Sequence, residues 1–218
     1  MNDTILSVAS IFKSIQGEGT AQGLPCSFIR LAGCNLDCSY CDTKWARENK
    51  SGKPMTIAEI MAAMQHHNCQ IVTVTGGEPL LHDGCLDLLR ILVQNGKKPI
   101  LETNGSIPLH AIPRGVTVVV DVKCPDSGME KYNNYDNLSK LHKDDEVKFV
   151  ISSRKDYDFA CKILAKGLIP ETCIVLLSPV WDKLEPKKLA EWILADHLQV
   201  RLNLQIHKFI WEDDGEEH

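Results

Sequence analysis

Short apolar runs rich in β-branched residues alternate with helical patterns from residue 27 to residue 205, and this alternation limits the fold more than any other feature. Several runs are apolar almost throughout, which is typical of parallel strands that are buried on both faces. Repeated strand–helix units predict a parallel sheet with its helices outside. The predicted strands are residues 27–31, 71–75, 100–103, 116–121, 147–152, 173–177 and 200–205.

Residues that start and stop helices lie between these predicted strands. Thr56 followed by Glu59 forms the pattern of a capping box, and Ser153 with Asp156 is a weaker example. Glycine can end a helix in a left-handed cap, and proline is tolerated in a first helical turn. Further signals of these two kinds are Gly96, Gly167 and Pro186.

The length of 218 residues is short for a complete eight-fold barrel, which usually needs about 250. With six or seven strand–helix units, the sequence predicts an α/β fold: a partial, open TIM-like β/α barrel of about six parallel strands. An open doubly wound sheet is the alternative, and in either fold ligands bind at the C-terminal ends of the strands. We expect a single domain, 1–218, with an N-terminal extension, 1–26, and an acidic C-terminal tail, 212–218.

Charge and hydropathy narrow the class of partner. The net charge is -5 and no basic stripe is visible, which argues against nucleic acid and favours a small-molecule substrate. No apolar run approaches the roughly 20 residues of a membrane span. The first ten residues lack the basic start and apolar core of a secretory signal, so we expect a cytoplasmic protein.

Three cysteines stand close together after the first predicted strand. Cys34, Cys38 and Cys41 are separated by three and then two residues. Thiolates at this spacing can hold one face of a metal centre, and nine cysteines in a reducing compartment are not expected to form structural disulfides. Three ligands leave one metal position open, as a catalytic site requires.

Two other interpretations of the cysteines stay open. Cys26 could supply a fourth ligand and close a zinc or electron-transfer site, although it precedes the strand and should lie near its opposite end. Alternatively, all three thiols could be buried without metal, but the Gly, Asn, Asp and Ser residues around them make a poor core segment.

A second motif follows the next predicted strand, where residues 75–79 read Thr-Gly-Gly-Glu-Pro. Glycines after a strand let a ligand approach the backbone, and a carboxylate beside them can accept hydrogen bonds from an ammonium group. The motif comes one strand–helix unit after the cysteine loop, so we expect both at the same edge of the sheet.

Together the two motifs resemble those of the radical S-adenosylmethionine (SAM) superfamily, including Tyr40 before the third cysteine. The resemblance implies a radical SAM core in which Cys34, Cys38 and Cys41 hold a [4Fe-4S] cluster whose fourth iron binds SAM. By the same resemblance, the residues that contact SAM are Tyr40, Cys41, Asp42, Gly77, Glu78, Asp121, Val122, Lys123 and Ser178.

Within that superfamily the chain resembles the 7-carboxy-7-deazaguanine synthase family. The resemblance rests on residues 14–19 (Ser-Ile-Gln-Gly-Glu-Gly), 33–36, 40–43 and 204–211. It implies conversion of 6-carboxy-5,6,7,8-tetrahydropterin into 7-carboxy-7-deazaguanine with loss of ammonia, in the biosynthesis of queuosine-type 7-deazapurines. It further implies Mg2+ bound by Thr43. The substrate contacts that it implies are Ile15, Gln16, Gly17, Arg30 and Thr75.

The family resemblance also implies partners. They are a flavodoxin or ferredoxin-type electron donor and a second copy of the chain in a homodimer. The resemblance also implies that Gln205 and His207 lie where the family closes its substrate pocket. Another small radical SAM enzyme, such as a glycyl-radical activase, is the alternative. Such activases are similar at the cysteines but not at residues 16–19 or 205–208.

Overall fold

A nine-stranded, mostly parallel sheet organises residues 4–211, the range of the chain that the computed structural model describes. The strands are β1 (Ile5–Ile15), β2 (Pro25–Leu31), β3 (Lys53–Thr56), β4 (Ile71–Gly76), β5 (Lys98–Thr103), β6 (Thr117–Val122), β7 (Glu146–Ile151), β8 (Ile174–Pro179) and β9 (Arg201–Leu202). Their order across the sheet is β3-β1-β2-β4-β5-β6-β7-β8-β9.

Seven of these strands, β2 and β4 to β9, run parallel to one another. At one edge of the sheet, β1 pairs antiparallel with β2, and β3 pairs antiparallel with β1. Within residues 4–211, β3 and β9 are the two edge strands and do not pair, so the sheet stays open. The predicted partial barrel is therefore confirmed, and it contains seven parallel strands where about six were expected.

Helices pack on one face of this sheet. They are α1 (Ile57–Ala63), α2 (Cys85–Gln94), α3 (Arg154–Ala165) and α4 (Pro186–Ala195), whereas a short α5 (His207–Ile210) lies beside the turn at Gly17. Two clusters of buried apolar residues lie between helices and sheet, one including Ile29, Val74 and Leu88, the other including Phe149 and Tyr157. Alternate strand residues supply these clusters, which leaves the intervening side chains on the opposite face.

Most of the predicted helix signals are confirmed. The Glu59 N–H donates to the Thr56 hydroxyl at 3.2 Å, and the Thr56 N–H donates to the Glu59 carboxylate at 2.7 Å. Gly96 and Gly167 have left-handed backbones, and Pro186 begins α4. The capping box at Ser153 is wrong. The Ser153 hydroxyl donates instead to Asp126 at 2.5 Å, because that carboxylate lies beside the start of α3.

The largest differences from prediction lie at the two ends of the chain. Strand β1 occupies much of the predicted N-terminal extension, where it pairs antiparallel with β2 and β3. The predicted strand 200–205 shrinks to Arg201–Leu202, because the chain then leaves the sheet and His207 begins α5. The acidic tail, 212–218, lies outside the described residues.

Candidate active site

Polar and charged side chains cover the face of the sheet opposite the helices. Arg30 of β2 pairs in register with Thr75 of β4, and Asp121 of β6 pairs with Lys148 of β7. Buried polar groups need partners, and a face of this kind is costly for a structure that only has to fold. The arrangement indicates a binding site on the inner face of the open barrel.

The cysteine loop begins where β2 ends, at one end of this inner face. Cys34 and Cys41 are partly exposed and Cys38 is buried, and none of the three forms a disulfide. Burial raises the pKa of the Cys34 and Cys38 thiols, and the nearby Lys123 ammonium works in the opposite direction. A buried lysine beside thiols favours their thiolate form, which is the form that ligates metals.

Backbone hydrogen bonds join the glycine motif to the cysteine loop. The Gly77 N–H donates to the Leu31 carbonyl at 3.0 Å, and the Glu78 N–H donates to the Gly33 carbonyl at 2.8 Å. A Cβ atom on Gly77 would lie 2.0 Å from the Gly33 oxygen and 2.9 Å from the Cys34 Cβ. Only glycine fits at residue 77, and both motifs face the same edge of the sheet.

The Glu78 side chain is fully buried and ties the ends of β4 and β5 together. Its carboxylate accepts hydrogen bonds from the Leu80 N–H at 3.0 Å, the Thr103 hydroxyl at 2.8 Å and the Asn104 N–H at 2.6 Å. Burial raises the pKa of Glu78, and these hydrogen bonds oppose that rise. The side chain is therefore largely occupied by the protein, and its contact with SAM stays a prediction.

Asn104 lies at this same edge, in the polar run 101–105 that ends the third predicted strand. Its amide nitrogen donates to Asn35 Oδ1 at 3.0 Å and lies 3.9 Å from Cys34 Sγ. An amide that reaches both the loop and a thiol orders the loop in the absence of any ligand. The polar run after the third predicted strand was the available signal.

Asp121 and Lys123 end β6 at the same edge. The Asp121 Oδ2 atom lies 3.0 Å from Lys123 Nζ, whereas Oδ1 is buried and has no hydrogen-bond partner among the residues that the structure describes. A buried acceptor without a partner is costly, so Oδ1 fits a donor group on a ligand. The Val122 side chain belongs to the core, which leaves only its backbone for a ligand, and Ser178 accepts a hydrogen bond from Asn203 at 2.8 Å.

The predicted substrate residues lie on three strands and one turn. Arg30 lies with its guanidinium carbon 5.9 Å from the ring centres of both Phe12 and Trp45, a cation–π arrangement. The Thr75 hydroxyl donates to Glu102 at 2.8 Å. Arg30 is thereby held against flat aromatic surfaces, and a planar guanidinium is suited to binding a carboxylate.

Residues 15–17 lead from β1 into the turn beside this face. Ile15 is the last residue of β1, and the Gln16 side chain donates to the Thr73 hydroxyl at 2.9 Å. A Cβ atom on Gly17 would lie 1.9 Å from Nδ1 of His207, so this glycine is required by close approach. Burial lowers the pKa of His207 and favours the neutral ring.

Three partly buried charged residues, Glu18, Glu102 and Lys148, lie together on the inner face. Glu18 contacts Lys148 at 3.0 Å and accepts from Gln205 at 2.8 Å. Burial by itself raises the pKa of Glu18, but Lys148 and Gln205 outweigh it and hold that pKa at about 2. Burial also raises the pKa of Glu102, which Lys148 partly offsets. Glu18 belongs to the motif of residues 14–19, whereas Lys148 lies in a predicted strand without a functional motif.

Tyr40, Asp42 and Thr43 surround the third cysteine. The Tyr40 hydroxyl donates to the Val150 carbonyl at 3.4 Å, which places its ring against β7. The Thr43 hydroxyl lies 3.4 Å from Asp42 Oδ1, and the other carboxylate oxygen lies 3.7 Å from Lys208. These contacts connect the cysteine loop with α5, the last described helix.

The donor set suits a multinuclear cluster better than a single ion. Across residues 4–211, no group of three or more Cys, His, Asp or Glu side chains is close enough to hold one metal ion. A four-iron cluster spans a larger volume than one ion, so its three thiolates stand farther apart. Three free thiols on a glycine-supported loop therefore fit a cluster with one unligated iron.

No helix in the described residues is long and apolar enough to cross a membrane.

Comparisons with known proteins agree with this site. The model of the Radical SAM superfamily matches residues 28–140. The 7-carboxy-7-deazaguanine synthase of Chlorobaculum tepidum is 42% identical over 213 residues, with 96% of each chain covered. That of Koribacter versatilis is 41% identical, covering 94% of this chain and 97% of the relative.

A solved structure agrees as well. QueE from Escherichia coli superposes with a TM-score of 0.77 and 25% identity, covering 92% of this chain and 94% of that one. The match covers far more of the chain than the residues 28–140 of the superfamily model. The chain thus belongs to the radical SAM superfamily and, within it, to the 7-carboxy-7-deazaguanine synthase family.

Proposed function

We propose that this enzyme contracts 6-carboxy-5,6,7,8-tetrahydropterin to 7-carboxy-7-deazaguanine with loss of ammonia, a step toward queuosine-type 7-deazapurines. One observation carries the proposal: a loop with three free thiols is hydrogen-bonded to a Gly-Gly turn at the mouth of a polar inner face. The relatives that match nearly the whole chain are named for this product, which favours it over a glycyl-radical activase.

Cys34, Cys38 and Cys41 would hold a [4Fe-4S] cluster, with SAM beside Gly77. When bound, this pair supplies a 5'-deoxyadenosyl radical. The Gly77 backbone, which packs directly against the cysteine loop, would contact the methionine part of SAM. The unpartnered Asp121 Oδ1 would accept a hydrogen bond from the adenosine part. Tyr40 and the backbone of residues 41, 42 and 122 would line the remainder of that site, with Ser178 at its far side.

Arg30 would bind the substrate carboxylate, because a planar guanidinium can grip a carboxylate with two charge-assisted hydrogen bonds. The rings of Phe12 and Trp45 limit its motion. Thr75, its register partner on β4, and the backbone of residues 15–17 would contact the ring system. The sheet and the turn together would exclude bulk water from the reacting carbon.

The proposal also includes a Mg2+ ion bound by Thr43. Thr43 carries a hydroxyl oxygen next to Asp42, and Mg2+ takes oxygen ligands while keeping several waters. Thr43→Val should therefore raise the Mg2+ concentration needed for half-maximal activity, while Thr43→Ser, which keeps the oxygen, should not. An equal requirement in all three proteins would remove Thr43 from the metal site.

The partners and the location of the enzyme stay predictions. We propose a flavodoxin or ferredoxin-type electron donor, a homodimer and a cytoplasmic setting. The single-domain organisation, with the tail 212–218 extending from it, belongs to the same proposal. Each follows from family membership and can be checked by reduction assays and by the mass of the enzyme in solution.

Anaerobic turnover tests the function. Reconstituted protein, reductant, SAM, Mg2+ and 6-carboxytetrahydropterin are combined, and mass spectrometry searches for 7-carboxy-7-deazaguanine. The proposal predicts that product. Free 5'-deoxyadenosine without the product would keep the radical SAM class and reject the substrate. Neither species, from a protein with an intact iron–sulfur chromophore, would favour an electron carrier.

A further inference from the structure

Lys148 is a buried lysine that the proposed chemistry does not use. Its side chain is 14% exposed, and its ammonium lies 3.0 Å from Glu18 and 3.8 Å from Asp121. Burial lowers the pKa of a lysine, but the carboxylates of Glu18, Asp121 and Glu102 reverse this and raise the pKa of Lys148. The ammonium group therefore stays charged. Replacing a buried ion pair with apolar side chains often leaves a protein equally stable, so stability alone does not explain a lysine here.

The two carboxylates beside Lys148 belong to opposite ends of the proposed site. Glu18 directly follows the turn at residues 16–17, which is proposed to contact the pterin. Asp121 ends β6 at the edge proposed to bind SAM. One ammonium therefore lies between the two ligand sites.

Lys148 has little room to touch a substrate itself. The cavity that it lines with Glu18 and Glu102 measures about 10 Å³. That volume holds about one water molecule and cannot admit a pterin. Within this cavity, Lys148 can therefore act on a pterin only through the residues around it.

Building on the proposed function, we propose that Lys148 is a positioning residue for the pterin. Its ammonium holds the Glu18 carboxylate and, through Glu18, the turn that presents Gln16 and Gly17. Two neutral groups complete this attachment, because the Gln205 amide donates to Glu18 at 2.8 Å and the Ile206 N–H donates to the Gly17 carbonyl at 3.1 Å. The turn is thereby fixed to β7 and to the segment after β9, across the open side of the barrel.

Because the ion pairs that remain differ, loss of Lys148 should affect the pterin site and the SAM site unequally. Asp121 keeps Lys123 at 3.0 Å when Lys148 is lost, whereas Glu18 loses its ion-pair partner at the same distance. Replacing Lys148 should therefore weaken the pterin site strongly and the SAM site little. A lysine that only supported the fold would weaken both sites together.

Hydrogen exchange on the cluster-loaded protein tests the attachment without turnover. In Lys148→Met, amides of residues 16–24 should exchange about tenfold faster, the expected cost of a lost charged hydrogen bond, while those of α3 stay unchanged. Lys187→Met, the same substitution at an exposed position of α4, is the control and should change neither segment. Unchanged exchange at residues 16–24 in Lys148→Met would overturn the proposal.

Steady-state kinetics and SAM binding test the inequality. Lys148→Met should raise the KM for the pterin about tenfold and change the Kd for SAM less than about threefold. Equal losses at both sites would overturn the proposal. If Lys148→Met does not fold, Glu18→Gln carries the same test from the other partner. Wild-type protein that forms no product would reject the proposed function, and hydrogen exchange would then decide the role of Lys148 on its own.

Discussion

The thiol of Cys26 lies 3.2 Å from the hydroxyl of Thr73, at the end of β2 that is far from the cysteine loop. Cys26 pairs with Ile71 at the start of β4, whereas Leu31 pairs with Gly76 at its end. Burial raises the pKa of Cys26 to about 11, but it also raises the pKa of Cys34 and Cys38, so the position of Cys26 is what sets it apart. The fold therefore separates Cys26 from the other three thiols.

This separation gives a matched pair of variants. Cys38→Ala should lose the iron–sulfur chromophore and product formation, because it removes one of three proposed cluster ligands. Cys26→Ala should keep both and lose only some stability, as expected for a small core residue. Iron and sulfide analysis after anaerobic reconstitution measures the difference. Loss of iron in Cys26→Ala would support a site closed by Cys26, and a normal iron content in Cys38→Ala would show that Cys38 is not a ligand.

Gly77→Ala should reduce cluster and SAM binding. The added Cβ would lie 2.0 Å from the backbone oxygen of Gly33, which cannot move without displacing the cysteine loop. Overpacking of this kind costs about 1–3 kcal/mol. Gly167→Ala is the control, since a Cβ there meets nothing within 4 Å and only its left-handed backbone is strained. Equal iron content and equal SAM affinity in the two variants would show that close approach at Gly77 is irrelevant.

Arg30→Lys should lower kcat/KM for the pterin about 10-fold to 100-fold while the cluster stays intact. A lysine keeps the positive charge but loses the two-bond grip on a carboxylate. Arg90→Lys, on the exposed face of α2, controls for the substitution itself. A pterin analogue without the carboxylate should bind wild type and Arg30→Lys equally well. If Arg30→Lys still prefers the carboxylated pterin over the analogue as strongly as wild type does, another residue must bind the carboxylate.

The low pKa of Glu18 predicts a specific dependence of stability on pH. The carboxyl titrates at about 2 when folded, against 4.5 for an ordinary Glu, so the unfolded chain binds more protons in this interval. Glu18 therefore contributes stability above about pH 4.5, on the order of 3 kcal/mol, which is lost as the pH falls toward 2. Glu18→Gln should show a smaller loss over this range.

The measurement is denaturant unfolding of the cluster-free protein at a series of acid pH values. The raised pKa values of Glu78 and Glu102 act in the opposite direction, so the difference between wild type and Glu18→Gln is the informative quantity. Parallel pH profiles for the two proteins would contradict the ion pair with Lys148.

The sequence predicted those regions of the molecule that depend on local patterns. Apolar runs located the parallel strands, and the capping box at Thr56 located the start of α1, because both signals lie within a few residues. Strand β1 was missed, since its role depends on antiparallel pairing with β2 and a third strand rather than on its own pattern.

The site was predictable where chemistry and spacing coincide, as for the three cysteines and Gly77. Lys148 could not be found in this way, since a lysine in a strand usually faces water. Its importance follows from the register that sets it beside Asp121 and from a turn that brings Glu18 across the sheet. The contact between Lys148 and Glu18 joins residues 130 positions apart, so no local sequence pattern indicates it.

The most direct measurement follows ammonia and 7-carboxy-7-deazaguanine together during anaerobic turnover of 6-carboxytetrahydropterin. We predict that wild-type protein releases the two products in equal amounts, only when SAM and a reductant are present, and that Cys38→Ala releases neither. Product formed without SAM, or formed equally by Cys38→Ala, would contradict the assignment of radical chemistry to this site.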